Sequence, residues 1–339
     1  MKRQRVNHKD VANLAGVSVA TVSYVINNGP RPVSLEARQK VEAAVAELGY
    51  YPNEVARSLR LQQSSTIGVV IPRLTNPVYG EIVRDLESVC SEAGFLVLLC
   101  NSEREQAREQ KFVQMLRAKH VDGVVITPDH NPLELIGPLL QAKIPVVVLE
   151  HDLPGVNCIA IDELAGGRMA TQHLLDLGHR QIAMLKHAPT SALSSQRLVG
   201  YRQALEVAGI AFDPRLVLEC EGNHRGGELA MRELLELQRP PTAVFAHNDV
   251  LAIGAYHAIR ELGLSIPEDI SVVGYDDITS AAYLAPPLTT VHSPKAEMGT
   301  LAGQTLLRLI AQSASASSGT ITLPVRLVMR GSTAPPKNR

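Results

Sequence analysis

The chain has no tryptophan, only four phenylalanines and only four cysteines among its 339 residues. With so few flat rings, a ligand site walled by aromatic side chains is not expected, and none of Phe95, Phe112, Phe212 and Phe245 falls in a predicted strand-end loop. The cysteines (Cys90, Cys100, Cys158 and Cys220) form no CxxC pair and have no metal-ligand spacing, so they read as reduced thiols. No apolar run approaches the roughly 18 residues that a membrane span needs. The first residues, Met1-Lys2-Arg3-Gln4-Arg5, are polar and lead into no apolar secretion core, so a cytoplasmic protein is expected. GxGxxG, Walker, GxSxG and HExxH motifs are all missing, which argues against dinucleotide, P-loop, hydrolase and zinc-protease chemistry. Neither an enzyme nor a bound cofactor is expected.

Charge is unevenly spread. The formal net charge is −1, but residues 1–63 carry +4 and the remainder −5. A basic head on an acidic body suggests that only the head meets a polyanion.

The head reads as three short helices. The first, from about His8 to Ala15, stops at Gly16, where the backbone can turn at positive φ. Ser18 caps a second helix that runs to about Asn27, and Asn28-Gly29-Pro30 breaks it. Ser34 caps a third, with Leu35, Val41, Val45 and Leu48 as its apolar stripe and Gly49 as its end. Ala12, Gly16 and Val22 supply what two crossed helices need: a small contact residue, a glycine turn and an apolar plug. Such a pair can seat its second helix in a major groove. After a short linker the pattern changes. Nine strand-like apolar runs, from Thr66–Ile71 to Ser271–Tyr275, alternate with amphipathic helical stretches, which predicts parallel sheets covered by helices. Nine strands exceed one doubly wound unit, so two subdomains with a cleft between them are expected.

Lys9-Asp10-Val11-Ala12, Ala15-Gly16-Val17-Ser18, Thr21-Val22-Ser23 and Val25-Ile26-Asn27 resemble the signature of the lactose-repressor (LacI/GalR) family. Leu48-Gly49-Tyr50 and Ala56-Arg57-Ser58-Leu59 continue the resemblance, and Thr75-Asn76-Pro77, Asn248-Asp249 and Gly274-Tyr275-Asp276-Asp277 carry it through the body. The resemblance implies a helix-turn-helix domain over 1–50, a hinge helix and linker over 51–65, and a periplasmic-binding-protein-like effector and dimerisation domain over 66–339. It places Val19, Ala20 and Tyr24 where members read base edges, and Ser18, Thr21, Ser23, Asn27 and Tyr50 where they contact mostly phosphates. Hydroxyls and amides suit phosphate contacts, and small apolar side chains suit a thymine methyl. Arg31, Arg57 and Arg60 are expected at phosphates or in the minor groove. Leu59, apolar in a basic stretch, takes the position of the wedge that members push between central base pairs.

Ligands of such bodies meet the carboxyl ends of parallel strands. Tyr79, Asp129, Asn248 and Asp276 follow predicted strands, and Arg197 lies at the helix start after Gln181–Lys186. Carboxylates accept from sugar hydroxyls, a guanidinium donates a fork, and Tyr79 offers a ring face. Asp249 is expected to cap the helix it precedes. A sugar, pentose ahead of hexose, is the expected effector, because Gly274–Ile278 and Pro286–His292 look closer to ribose repressors. The alternative is a nucleobase corepressor, but purine repressors carry an arginine where this chain has Ser191. A sugar phosphate would need a second cation, for which His187 and His292 are candidates. Arg330–Arg339 has no leucine heptads, so a homodimer on palindromic operator DNA is expected rather than a zippered tetramer.

Overall fold

The computed structural model describes residues 6–26, 31–51, 63–187, 192–312 and 318–337. They form two compact units that divide between Ser64 and Ser65.

In the first unit, α1 (His8–Ala15) is opened by a reciprocal cap. The Asn7 side chain accepts from the amides of Lys9 and Asp10, and Asp10 accepts from the Asn7 amide at 2.9 Å. Gly16 ends α1 at φ +66°, a left-handed conformation that only glycine adopts without strain. Ser18 Oγ then accepts from the Thr21 amide at 3.1 Å and starts α2 (Val19–Ile26). Ser34 and Gly49 bracket α3 (Leu35–Leu48) in the same way. Val11, Ala12, Ala15, Val22, Val25, Val41, Ala44 and Tyr50 form the core of this unit. Leu35, expected on the inner stripe, is instead 75% exposed. It is the first residue of α3, on the solvent side, and the inner face is made by Val41 and Ala44.

The second unit contains two six-stranded sheets. The first joins β1 (Thr66–Ile71), β2 (Leu96–Asn101), β3 (Gly123–Ile126), β4 (Val146–Leu149), β5 (Asn157–Ile161) and β11 (Thr320–Leu323) in the order β11-β5-β4-β3-β1-β2, all parallel. The second joins β6 (Ile182–His187), β7 (Val217–Cys220), β8 (Ala243–Ala246), β9 (Ser271–Asp276), β10 (Thr289–His292) and β12 (Arg326–Val328) in the order β12-β10-β9-β8-β6-β7, with only β12 antiparallel. Helices α4 (Pro77–Glu92), α5 (Gln106–Ala118), α6 (Pro132–Gln141), α7 (Glu163–Asp176), α8 (Ala192–Val207), α9 (His224–Leu235), α10 (Asp249–Glu261) and α11 (Lys295–Gln312) complete the unit.

The chain crosses between the sheets three times: from β5 to α7, from β10 to α11 and from β11 to β12. The second crossing returns α11 to the first sheet, where it packs on α4. Gly299 permits this contact, because a Cβ there would lie 2.3 Å from the Ile82 carbonyl oxygen. The central strands β3, β4 and β8 are buried along their whole length, as strands covered on both faces must be. The sequence predicts nine strands, and the structure adds β10, β11 and β12. It also adds α6 and α11.

Candidate effector cleft and DNA-reading face

Each sheet has one point where the chain reverses its direction of winding: between β1 and β3 in the first, and between β6 and β8 in the second. Loops leaving the strand ends part there and open a crevice. The two crevices face one cavity of about 510 Å³, open to solvent. All five residues predicted for the effector (Tyr79, Asp129, Arg197, Asn248 and Asp276) line it. So do His187, expected only as a cation for a sugar phosphate, and Asn76, Arg104, Glu150, Glu163 and His247, to which sequence reasoning assigned no effector role. Glu150 directly follows β4 and His247 directly follows β8, so the strand-end rule would have found both.

The wall is a network of buried charges. Glu163 takes the Arg197 fork through both oxygens, with Nη2–Oε1 at 2.9 Å and Nε bonded to Oε2. Arg197 also donates to the His247 carbonyl, and its guanidinium lies 3.6 Å from the Tyr275 ring centroid. Its Nη2 stands 3.8 Å from Asp276 Oδ1. Burial works against the Arg197 charge, but Glu163, Tyr275 and Asp276 outweigh it and raise its pKa. Tyr79 donates to Glu150 at 3.2 Å. Burial, and then the nearby Glu163, pushes Glu150 up to about 7. Burial pushes Asp276 up to about 6, while Arg197 and Lys295 pull the other way. Asp276 sits at φ +100°, an uncommon backbone conformation for any residue but glycine. Burial also raises Asp129, whose Oδ2 is buried with no hydrogen-bond partner; His247 Nδ1 is in the same condition.

Two expectations are corrected here. The cap of α10 is Asn248, not Asp249: Asn248 Oδ1 accepts from the Leu251 amide at 2.9 Å, and its Nδ2 donates to His187 Nε2 at 3.1 Å. Asp249 is fully buried and ties the loop after β9 to β10, accepting from Thr290 Oγ1 at 2.6 Å and from the Ile278 amide at 2.8 Å. Neither histidine supplies a second cation. Burial, and then Arg104, pushes His187 down to about 3, so it is neutral. His292 is outside the cavity wall and pairs with Asp277 at 2.9 Å.

These shifts fix a pH dependence. Burial raises Asp249 to about 8 and Asp276 adds to the shift. A carboxyl raised in the fold contributes stability that is complete below its unfolded value, near 4, and is lost as pH rises through the folded value. Buried neutral histidines act oppositely, but only below their unfolded value of about 6.5. Between pH 6.5 and 8, therefore, Asp249 and Glu150 dominate. Stability should fall across that window, with Asp249 contributing up to about 2 kcal/mol, seen as a melting point lower by a few degrees. Asp249→Asn should flatten this slope, and an equally steep slope in that variant would refute the assignment.

On α2, Ser18, Val19 and Ala20 are exposed, and Thr21, Ser23 and Tyr24 are half-buried. Ser18 Oγ also meets Thr21 Oγ1 at 2.9 Å, so both hydroxyls take part in the cap. Arg31 is exposed, with its guanidinium carbon 5.8 Å from the Tyr24 ring centroid. The Tyr50 ring packs in the core of this unit, 5.5 Å from the His8 ring. Asn27, Arg57, Leu59, Arg60 and Ser191 lie outside the described residues.

A helix-turn-helix unit joined to a two-sheet body with a polar cleft defines a ligand-responsive DNA-binding regulator. Residues 8–53 match the model of the lacI family of bacterial regulatory proteins, and residues 171–333 match that of the periplasmic binding protein-like domain. The ribose operon repressor of Escherichia coli K12 is 42% identical over 308 residues, 90% of this chain and 93% of that protein. A solved lac repressor dimer bound to operator and an anti-inducer is 34% identical, with a TM-score of 0.87, over 98% of this chain and all of that one. A LacI-family regulator from Enterococcus faecium, solved with bound ribose, is also 34% identical, with a TM-score of 0.73, over 80% of this chain and 99% of that one. The chain belongs to the lacI family of bacterial regulatory proteins and is a DNA-binding transcription regulator.

Proposed function

We propose that this regulator is a repressor whose operator affinity is set by a neutral monosaccharide, a pentose, held in the cleft. It is no enzyme, and it acts in the cytoplasm as a homodimer on a palindromic operator. The observation that carries the reading is the cavity wall, which sets the carboxyls of Asp129, Glu150 and Asp276 beside the donors of Asn248 and Arg197. A ligand rich in hydroxyls can both donate to the first set and accept from the second. Asp276 and Asp129 then accept from hydroxyls, while Asn248 and the outer edge of Arg197 donate. Among the described residues Tyr79 is the one tyrosine on the wall, and the other two rings there, His187 and His247, stand edge to face, which suits a sugar better than a purine. The ribose repressor relative and the ribose-bound neighbour favour a pentose.

Residues 1–50 form the reading head, 51–65 the hinge with Arg57, Leu59 and Arg60 at the DNA, and 66–339 the effector and dimerisation domain. In the head, Val19, Ala20 and Tyr24 face base edges. Ser18, Thr21, Ser23, Asn27, Arg31 and Tyr50 hold phosphates.

A melt screen over pentoses, hexoses, their phosphates and nucleobases tests the effector. A ligand at a hundred times its Kd adds about 2.7 kcal/mol, a rise of a few degrees. A shift with hypoxanthine or guanine, and none with any sugar, would sink the reading.

A further inference from the structure

A guanidinium has five N–H donors. In Arg197, two go to Glu163 and one to the His247 carbonyl, which leaves one on Nη1 and one on Nη2. Glu163 and Arg197 are 3% and 7% exposed, so little water screens the pair. Glu163 is free to serve Arg197 because its neighbour does the capping. Asp162 accepts from the Ala165 amide at 2.9 Å, and Glu163 is the first residue of α7, where a negative charge is favoured. One turn on, a Cβ at Gly167 would lie 2.3 Å from the Arg197 carbonyl oxygen, so α7 and α8 touch and fix both partners.

We infer that Glu163 is the specificity-determining residue of the cleft: by holding Arg197 at both carboxylate oxygens it cancels the arginine's charge, so the site takes a neutral polyol and rejects its phosphate. The inference rests on the reading of the cleft as a sugar site. With that pair neutral, the ionisable groups left on the wall among the described residues are three carboxyls, Asp129, Asp276 and the partly ionised Glu150, against Arg104, which stands 3.9 Å from Asp129. An entering anion meets an excess of carboxyls in a poorly screened site, whereas a neutral sugar donates hydroxyl hydrogens to them. Glu163 thus positions Arg197 and sets the sign of the site without needing to touch the ligand.

The test is calorimetric titration of the full chain with D-ribose and with D-ribose 5-phosphate. The wild type is expected to prefer ribose by about a hundredfold or more, the scale of a misplaced like charge. Glu163→Gln keeps the side chain's shape and one acceptor but releases the Arg197 charge. It should narrow the preference by at least about tenfold, or 1.4 kcal/mol, chiefly through tighter phosphate binding. Glu163→Asp keeps the charge and should keep the wild-type order of the two ligands. Equal weakening of both ligands in Glu163→Gln would reduce Glu163 to a structural role and overturn the inference. Wild-type protein that bound the phosphate as tightly as ribose would overturn it with no variant needed. If ribose bound and only the ratio failed to move, the sugar reading would stand and this inference would fall. If the wild type bound neither ribose nor its phosphate, nor any sugar in the melt screen, both would fall.

Discussion

Replacing Arg197 with alanine is expected to destabilise the body by about 3–5 kcal/mol and to abolish its response to effector. The size of the effect comes from what is left behind. Glu163, only 3% exposed, would lose both donors of the fork and be stranded as an uncompensated buried charge. The guanidinium packing on Tyr275 would also vanish. A lysine in place of Arg197 would keep the charge but not the planar fork, so it should rescue only part of the stability. The double variant Arg197→Met with Glu163→Met separates folding from function. Removing both charges together leaves no stranded Glu163 carboxylate, so its melting point should recover most of the loss, short of what the His247 carbonyl and Asp276 forfeit with the guanidinium. Its effector response should remain absent, because the cleft would have lost the guanidinium edge. The body's melting transition, with and without sugar, measures both quantities. A loss below about 1 kcal/mol in Arg197→Ala would mean that water screens the pair as it does at an exposed surface. A double variant as unstable as the single one would mean that lost packing, rather than the orphaned charge, sets the cost.

What the sequence revealed about this molecule follows from which signals are local. β1, β4 and β8 are read to the residue because they are short apolar runs buried on both faces and bounded by turns. α6 escaped because Pro138 interrupts its helical pattern and Asn131 enters it at φ +35°. In β11 only the last residue is buried, so no alternation marks it as a strand. α11 was legible and overlooked: Met298, Ala302 and Leu306 repeat every four residues and are all buried. In the cleft, the strand-end rule reaches Tyr79, Asp129, Asn248 and Asp276 because it needs only strand positions. The partner of Arg197 lies 34 residues away, with a strand between their two helices, and nothing local in the sequence joins the two. The charge state of His187 depends on burial and on Arg104, both properties of the folded chain.

Removing residues 1–64 is expected to cost the operator affinity that distinguishes a specific site from random DNA, at least about a thousandfold. The body should survive the cut. The core of the first unit is built from its own residues, Val11 to Tyr50, while the clusters of the body begin at Ile67. The effector-induced rise in melting point should therefore persist in the truncated chain. The charge argument points the same way. Residues 1–63 carry +4 and the remainder −5, so the cut leaves a body that duplex DNA repels. The full chain should lose affinity steeply with added salt, because each lysine or arginine at a phosphate releases counterions. Direct readout by Val19 and Ala20 adds little electrostatics, so Val19→Ala should relax base preference at its position while leaving the salt slope unchanged. Fluorescence anisotropy on a labelled operator, across a salt series, measures affinity and slope together. A truncated body that still bound operator tightly and specifically would place the reading surface outside the helix-turn-helix unit. A Val19→Ala protein with a shallower salt slope and unchanged base preference would show that α2 holds the backbone rather than reading bases.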